Sequence, residues 1–266
     1  MKHKCMVFTA IAIGTVFMLA GSASAASIAR YMEKLTRGLV AVKSGSGYFL
    51  SWRLFGTEQG SDIAFNVYKG STKLNSTPIT TATCYQDNST GTGDYSVRPV
   101  VGGQEQAASA AEYVLSSNYI AIPLQNSSGY IAADCSCGDL DGDGQYEIVV
   151  KEEKSPRDNA YAGVSGSTKL SAYTLAGKFM WRIEVGINIR EGAHYTQFMV
   201  YDLDGDGIAE VAIKTAPGTK DGTNSYLKTG PAAGADNTVN LVNADGKILT
   251  GPEWYTIFNG KTGAEL

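Results

Sequence analysis

Residues 138–151 read Gly138-Asp-Leu-Asp-Gly-Asp-Gly-Gln-Tyr-Glu-Ile-Val-Val-Lys151, an Asp-rich loop that runs directly into a β-branched segment. A near copy, Asp202-Leu-Asp-Gly-Asp-Gly-Ile-Ala-Glu-Val-Ala-Ile-Lys214, follows in the same register. Carboxylates at alternate positions of a curled, glycine-containing loop converge on one point, and calcium is held by oxygen ligands of this kind. The repeat therefore predicts a β protein in which each loop binds Ca2+ and leads into a strand.

The two copies supply equivalent candidate ligands. Carboxylates occupy positions 1, 3, 5 and 9 of each loop, and a backbone carbonyl occupies position 7. The predicted metal ligands are Asp139, Asp141, Asp143, Gln145, Glu147, Asp202, Asp204, Asp206, Ile208 and Glu210. An EF-hand is excluded, because position 12 is Val150 in one copy and Ile213 in the other and both loops lead into strands. We expect both ions to be structural.

The N-terminus has the pattern of an export signal. Lys2 and Lys4 precede the uncharged apolar segment 6–20, and small residues then provide a cleavage site after Ala25. The apolar segment is shorter than the roughly 20 residues needed to span a bilayer. We therefore predict a signal peptide over residues 1–25 and a secreted mature chain without membrane contact.

Composition argues against nucleic acid as a partner. The chain has 22 Lys and Arg against 26 Asp and Glu, a net charge of −4, whereas a nucleic-acid-binding protein needs a clustered basic face. Outside the leader, Cys84, Cys135 and Cys137 remain, and this odd number predicts no disulfide framework. Cys135 and Cys137 are expected to be small buried side chains. We expect the protein to be a monomer.

Residues 27–118 have the pattern of an all-β module. The strand-like segments are 48–54, 64–69 and 94–101. Aromatic and β-branched residues dominate these segments and turn residues separate them, which predicts a β-sandwich similar to fibronectin type III domains. Trp52 is expected in its core. Polar, glycine-containing sequence near residues 116–130 predicts a domain boundary.

Residues 119–266 follow a different pattern of loop, strand and hairpin. Segments 169–175 and 178–183 predict two antiparallel strands around the turn at Ala176-Gly177, and Asn259-Gly260 predicts a two-residue hairpin turn. Repeats with four short strands each are typical of propeller blades. Because a closed propeller needs about four to eight blades, we predict an incomplete calcium-binding β-propeller, formed by its first blades, in a fragment of a longer protein.

Several segments outside the loops carry a more specific pattern. They are Arg30–Lys43, Gly138–Glu147, Trp181–Ile183, Asn188–Arg190, Gly192–Gly207, Gly251–Glu253 and Thr256–Phe258. These segments resemble the rhamnogalacturonan lyases of polysaccharide lyase family 11, over nearly the whole mature chain but only the N-terminal part of the family's length. The resemblance implies a small β domain followed by an eight-bladed calcium-binding propeller. It also implies cleavage of the rhamnogalacturonan I backbone of pectin, between rhamnose and galacturonate, by β-elimination.

That reaction needs a base for the C5 proton and a cation beside the uronate carboxylate. The predicted catalytic residues are His194, Lys151 and Lys214, and the predicted substrate-binding residues are Asp134, Glu153, Asn159 and Tyr195. His194 lies just before the second loop, and packing is the alternative role for it. Lys151 and Lys214 occupy matching positions of the repeat, so a structural role is the alternative for both.

Two positions depart from the family's pattern. Ala133 stands where the family has Asn, and Glu153 stands where it has Asp; both positions face the family's cleft. Alanine cannot form a hydrogen bond to a sugar with its side chain. The alternative function is therefore a non-catalytic, calcium-stabilised propeller that binds carbohydrate or a cell surface, or an inactive fragment.

Overall fold

The computed structural model describes residues 33–58, 62–126 and 128–266, so the predicted signal peptide lies outside the described residues. Within them the chain is all-β, as predicted, and its strands form four sheets. Two short 3-10 segments, Gly56–Glu58 and Gly230–Ala232, are the helical turns of this part of the chain. No helix among the described residues is long and apolar enough to cross a membrane.

The first nine strands form two sheets. They are β1 Val40–Ser44, β2 Gly47–Ser51, β3 Ile63–Lys69, β4 Thr72–Lys73, β5 Cys84–Asp87, β6 Tyr95–Val101, β7 Gln104–Glu105, β8 Ser109–Ala110 and β9 Tyr113–Leu115. One sheet has the order β5-β2-β1-β9, with β9 parallel to β1. The other has the order β4-β3-β6-β7, and β8 also pairs with β6.

The two N-terminal sheets share one hydrophobic cluster. Ala41 and Leu50 of the first sheet belong to it together with Phe65 and Val67 of the second. Trp52 is 4% exposed and meets the Phe65 ring edge-on, with 5.4 Å between ring centroids. Trp52 is therefore a core residue, as predicted from the sequence.

The third sheet is built from strands in chain order. These are β10 Ile131–Gly138, β11 Glu147–Glu153, β12 Lys169–Thr174 and β13 Phe179–Glu184, all antiparallel to their neighbours. Strand β11 follows the first Asp-rich loop directly, is buried along almost its whole length and is paired on both sides, with β10 and β12. The strand that the β-branched sequence predicted after the loop is thus confirmed.

The fourth sheet repeats this arrangement with three strands. Strand β14 (Phe198–Tyr201) precedes the second Asp-rich loop, β15 (Glu210–Thr215) follows it, and β16 (Trp254–Phe258) pairs with β15. A bridge from Phe258 to Glu265 continues the pairing beyond β16. Both C-terminal sheets contribute to one hydrophobic cluster, whose members include Val149, Leu170, Trp181, Val211, Ile213 and Phe258.

Two local expectations were wrong. Cys135 and Cys137 are exposed rather than buried, because β10 is an edge strand with β11 as its sole described partner. Asn259-Gly260 does not form a two-residue turn: Asn259 N donates to Ala264 O at 2.8 Å, which closes a wider loop. Within this loop Gly263 N donates to Asn259 O at 2.8 Å, and Gly260 O accepts the indole N–H of Trp181 at 2.6 Å.

The described chain belongs to one compact unit. The predicted boundary near residues 116–130 lies between the strands that supply the two hydrophobic clusters. The division into residues 27–118 and 119–266 stays a prediction.

Candidate functional site

Both Asp-rich loops are folded by the carboxylate at their first position. Asp139 is fully buried, and its two oxygens accept the N–H groups of Gly142 at 2.7 Å and Gly144 at 2.8 Å. Asp202 accepts the equivalent N–H groups of Gly205 and Gly207 at 2.7 and 3.0 Å. Each aspartate therefore fixes the curl of its loop through backbone groups.

The remaining carboxylates repeat the same hydrogen bonds. In the first loop the bonds are Asp143 N to Asp141 at 3.2 Å, Gln145 N to Asp143 at 2.8 Å and Leu140 N to Glu147 at 2.9 Å. In the second loop they are Asp206 N to Asp204 at 3.0 Å, Ile208 N to Asp206 at 2.8 Å and Leu203 N to Glu210 at 2.8 Å. The repeat read from the sequence is a repeat of geometry as well.

The carboxylate oxygens are close enough to share a metal ion. The groups with oxygens within 4.8 Å of one another are Asp139, Asp141 and Glu147 in the first loop, and Asp202, Asp204 and Asp206 in the second. Oxygens that bind one calcium ion at about 2.3–2.6 Å lie no more than about 5 Å apart. The all-oxygen donor sets therefore fit a hard cation. Asp143 and Glu210 lie outside these tight groups, and the carbonyls of Gln145 and Ile208 remain predicted ligands.

Charge accumulates at both loops. Burial raises the pKa of Glu147 to about 7; the hydrogen bond from Leu140 N opposes this rise, and the nearby aspartates add to it. Burial also raises the pKa of Glu210, and the aspartates of the second loop again contribute. A bound cation would compensate this negative charge and favour the ionised glutamates.

A segment from the N-terminal side packs against both loops. Glu33 Oε1 accepts Asp139 N at 2.7 Å, and Thr36 N donates to Gly144 O at 2.8 Å. Lys34 lies against the second loop. Its side chain is so close to Gly207 that a Cβ atom added to this glycine would lie 3.4 Å from it. Burial raises the pKa of Glu33, the Asp139 N–H opposes the rise, and the charges of Asp139 and Asp202 add to it. We call residues 33–36 the loop-bridging segment.

The loop-bridging segment was missed at the level of sequence. Its contacts join residues far apart in the chain, and loop spacing gives no signal for them. The one available signal was that it lies inside the segment Arg30–Lys43, which carries part of the family resemblance.

Three of the predicted site residues, Asp134, Lys151 and Glu153, are neighbours on the third sheet. Lys151 and Glu153 form a buried ion pair on β11, with 3.4 Å between Nζ and Oε1. Asp134 is exposed on β10, opposite Lys151 in the strand register. It lines a largely apolar cavity of about 450 Å³ together with Ala133 and Val150. Lys151 thus lies inside the sheet rather than at an open surface.

His194 is at the surface. Its Nδ1 lies 3.2 Å from Asp158 Oδ2, and the two side chains are 69% and 41% exposed. Asp158 can therefore orient the imidazole ring while the other ring nitrogen remains accessible.

Three predicted residues meet at one cavity. Asn159, Tyr195 and Lys214 line a space of about 300 Å³, and the other lining residues are Arg190, Lys247, Ile248, Leu249 and Glu253. Lys214 Nζ is 3.0 Å from Glu253 Oε1. Asp134, Lys151, Glu153 and His194 are not among the residues that line it. We call this space the cationic cavity. Arg190 and Lys247 were not found as site residues from the sequence.

Arg190 joins the walls of the cationic cavity. It is 5% exposed, and its guanidinium donates to the carbonyls of Asp158 at 3.2 Å, Tyr161 at 2.6 Å and Gly163 at 3.1 Å, and also to that of Gly246. Its Nε is buried and has no hydrogen-bond partner among the described residues. Arg190 thus fixes the loop 158–163 to the turn that carries Lys247.

The comparison with protein families matches the chain in two parts. Residues 122–266 match the C-terminal domain of rhamnogalacturonan lyase family 11, and residues 30–115 match the β-sheet domain of rhamnogalacturonan I lyases. The chain belongs to rhamnogalacturonan lyase family 11. The resemblance read from the sequence is therefore confirmed.

Two curated rhamnogalacturonan lyases are similar in sequence to this chain. The rhamnogalacturonan endolyase YesW of Bacillus subtilis (strain 168) is 45% identical over 279 residues, which cover 100% of this chain and 44% of YesW. The rhamnogalacturonan exolyase YesX of the same organism is 43% identical over 249 residues, 89% of this chain and 39% of YesX. The chain thus spans less than half the length of these family 11 relatives.

Solved family 11 structures share the fold. The rhamnogalacturonan lyase of Bacillus licheniformis is 50% identical with a TM-score of 0.81, over 89% of this chain and 41% of that one. The crystal structure of YesW is 46% identical with a TM-score of 0.80, over 89% of this chain and 41% of that one.

Proposed function

We propose that this chain is part of a rhamnogalacturonan lyase that cleaves the rhamnogalacturonan I backbone of pectin at the rhamnose–galacturonate linkage. The observation that carries the proposal is the 45% identity to a rhamnogalacturonan endolyase over the whole chain. The exolyase is almost equally similar, at 43%. The proposal therefore concerns the linkage that is cleaved and leaves the endo or exo mode open.

The finer fold forms part of the same proposal. A four-stranded antiparallel sheet in chain order, β10 to β13, is the arrangement of a propeller blade. Strands β14 to β16 and the Phe258–Glu265 bridge repeat that order. We interpret these two sheets as consecutive blades, and the two N-terminal sheets with their common core as a β-sandwich.

Calcium is the proposed ion of both loops. The donor sets contain carboxylate oxygens alone, and carboxylates at positions 1, 3 and 5 suit Ca2+. Bound calcium would supply positive charge that holds the loops together. The carboxylates of Asp139, Asp141, Glu147, Asp202, Asp204 and Asp206 would hold it, with Asp143, Gln145, Ile208 and Glu210 as the remaining predicted ligands.

The proposed reaction is β-elimination. A base removes the C5 proton of galacturonate, the C4–O bond breaks, a C4=C5 double bond forms, and the leaving oxygen takes up a proton. His194 suits the proton transfer best among the predicted residues, because it is exposed and oriented by Asp158. Lys214, at the cationic cavity, can contact substrate. The buried ion pair with Glu153 favours a structural role for Lys151.

A non-catalytic carbohydrate-binding role is the second candidate. It is favoured by Ala133, which lines an apolar cavity beside Asp134 and offers no side-chain hydrogen bond there. In this case Asp134, Asn159 and Tyr195 would contact sugar without any bond being broken, whereas Glu153 is buried in its ion pair with Lys151.

The deciding experiment uses the full-length protein that carries this chain. It is incubated with rhamnogalacturonan I in calcium buffer or in chelator, and the ultraviolet absorbance of unsaturated uronate ends is followed. Homogalacturonan is the control substrate. We expect a calcium-dependent rise with rhamnogalacturonan I alone. Absence of that rise overturns the lyase, and pectin binding without product then supports the second candidate.

Secretion belongs to the proposal as well. Residues 1–25 have the sequence of a cleavable export signal, and a pectin polymer is an extracellular substrate. N-terminal sequencing of protein from the culture medium is expected to begin at Ala26.

A further inference from the structure

The cationic cavity is lined by polar side chains that have no hydrogen-bond or ion-pair partner among the described residues. Asn159, Tyr195 and Lys247 line it, and none of these three side chains makes a hydrogen bond or ion pair with a described residue. Polar groups that converge on a concave site without protein partners are the groups that fix a ligand's orientation. The cavity therefore has free donors and acceptors available for a ligand.

The charge of the cationic cavity selects an anionic ligand. Arg190, Lys214 and Lys247 line it, against the single carboxylate of Glu253. Glu253 is engaged by Lys214 at 3.0 Å, whereas the Lys247 ammonium has no partner in the described part of the chain. Arg190 donates to carbonyl oxygens and forms no ion pair with a described residue. The lining therefore carries an excess of positive charge, part of which one ligand carboxylate would balance.

Lys247 is held on a preformed turn. Asn243 N donates to Lys247 O at 2.8 Å, and the Asn243 side chain accepts Lys247 N at 2.8 Å. The turn then approaches loop 158–163 so closely that a Cβ at Gly246 would overlap Gly163 O. With Arg190 joining the same two segments, the cavity wall is fixed before any ligand arrives, which lowers the entropy lost on binding.

The size and the apolar edge suit a sugar ring. About 300 Å³ is at the lower end of the range for small-molecule sites. Ile248 and Leu249 line one side, where the C–H face of a ring can pack. Lys247 provides a cation and Asn159 and Tyr195 provide neutral donors, so one ring with hydroxyls and a carboxylate satisfies all three.

We propose that the cationic cavity is a subsite for one uronate residue, in which Lys247 binds the carboxylate and Asn159 and Tyr195 bind ring hydroxyls. The assignment rests on the proposed function for the identity of the polymer, rhamnogalacturonan I. Arg190 acts as a positioning residue that holds the cavity wall.

The test compares two ligands and two variants of the full-length protein in calcium buffer. The ligands are a rhamnogalacturonan I oligosaccharide and the same oligosaccharide after reduction of its carboxylates to alcohols. The variants are Lys247→Met and, as the matched control, Lys261→Met at an exposed turn outside the cavity. Binding is measured by calorimetry.

We expect Lys247→Met to weaken binding of the acidic oligosaccharide about tenfold, the lower end of the effect of a charge-assisted hydrogen bond. Binding of the reduced oligosaccharide and of both ligands to Lys261→Met is expected to stay unchanged. Equal losses for both ligands, or no loss for the acidic one, overturn the subsite. The melting temperature of Lys247→Met should equal that of the wild type, because the Lys247 side chain bonds to no described residue.

The outcomes separate the subsite from the proposed function. Charge-specific binding through Lys247 without unsaturated products would support the subsite and overturn the lyase. Unsaturated products together with an unchanged affinity of Lys247→Met for the acidic oligosaccharide would support the lyase and overturn the subsite.

Discussion

A single side chain organises each Asp-rich loop. Asp139 uses both carboxylate oxygens to accept backbone N–H groups while it is fully buried. Asp143, in contrast, is exposed and accepts one N–H, from Gln145. The position of a carboxylate in the loop therefore does not by itself decide how much it stabilises the folded loop. Its burial and the number of hydrogen bonds that it accepts decide this.

Asparagine substitutions should show that Asp139 stabilises its loop more than Asp143 does. In Asp139→Asn one acceptor oxygen becomes an N–H2 donor that faces a backbone N–H, so we expect a loss of about 2 kcal/mol in the calcium-free protein. Asp143→Asn keeps its acceptor and relieves repulsion, so its calcium-free stability should be unchanged or slightly higher. Urea unfolding without calcium measures both. Equal destabilisation by the two variants would contradict the assignment.

A buried carboxylate in the N-terminal sheets, Asp87, is also held by several hydrogen bonds. Burial alone would raise the pKa of Asp87, but hydrogen bonds from Tyr95 at 2.6 Å, from Ser89 and from Lys69 lower it from 3.8 to about 2. Because the pKa in the folded state is the lower one, Asp87 stabilises the fold fully above about pH 4. This contribution disappears as the pH falls through about 2.

The pH dependence can be measured against Asp87→Asn. A pKa shift of roughly 2 units corresponds to about 2.5 kcal/mol. At pH 6 the free energy of unfolding of the wild type should therefore exceed that of the variant by about this amount. The difference should shrink between pH 4 and pH 2. Urea unfolding at several pH values measures it. A difference that does not change over this range would show that the charge of Asp87 is not what matters.

Strand β11 and the loop-bridging segment connect the Asp-rich loops to the rest of the described chain. Strand β11 stays buried through its charged end because Glu152 pairs with Arg182 at 3.2 Å and Lys151 pairs with Glu153. The loop-bridging segment contacts both Asp-rich loops, through Glu33 and Thr36 on one side and Lys34 on the other. We therefore expect the two loops to respond together when these contacts are removed.

Substitution of Glu33 tests that coupling. Glu33→Ala removes the acceptor of Asp139 N and should lower stability by about 1 kcal/mol. It should also speed hydrogen exchange of the amides of Gly144 and Gly207, one in each loop. Glu33→Gln keeps an acceptor oxygen and is the matched control, with a smaller effect. Faster exchange confined to Gly144 would show that the loops behave independently.

Across the whole chain, the sequence predicted those features that depend on residues close to one another in the sequence. The all-β class, the start of β11 and β15 after the loops and the core position of Trp52 followed from alternation, turn residues and loop spacing, whereas the family followed from the resemblance of particular segments. The loop-bridging segment and the Arg190 contacts did not, because they depend on pairs of residues distant in sequence. Asn259-Gly260 failed as a turn signal for the same reason: Trp181 holds Gly260 in another arrangement.

The hydrogen bond from Ala209 N to Asp139 O, 2.7 Å long, also bears on the order in which the chain folds. During synthesis the first loop emerges earlier and can form its local bonds at once, but the carbonyl of Asp139 gains this partner only when Ala209 has been made. Closing a segment of about 70 residues costs more entropy than closing a turn. Joining of the two loops is thus a late, non-local step, and nascent chains are expected to hold the first loop in an unfinished form until the second is complete.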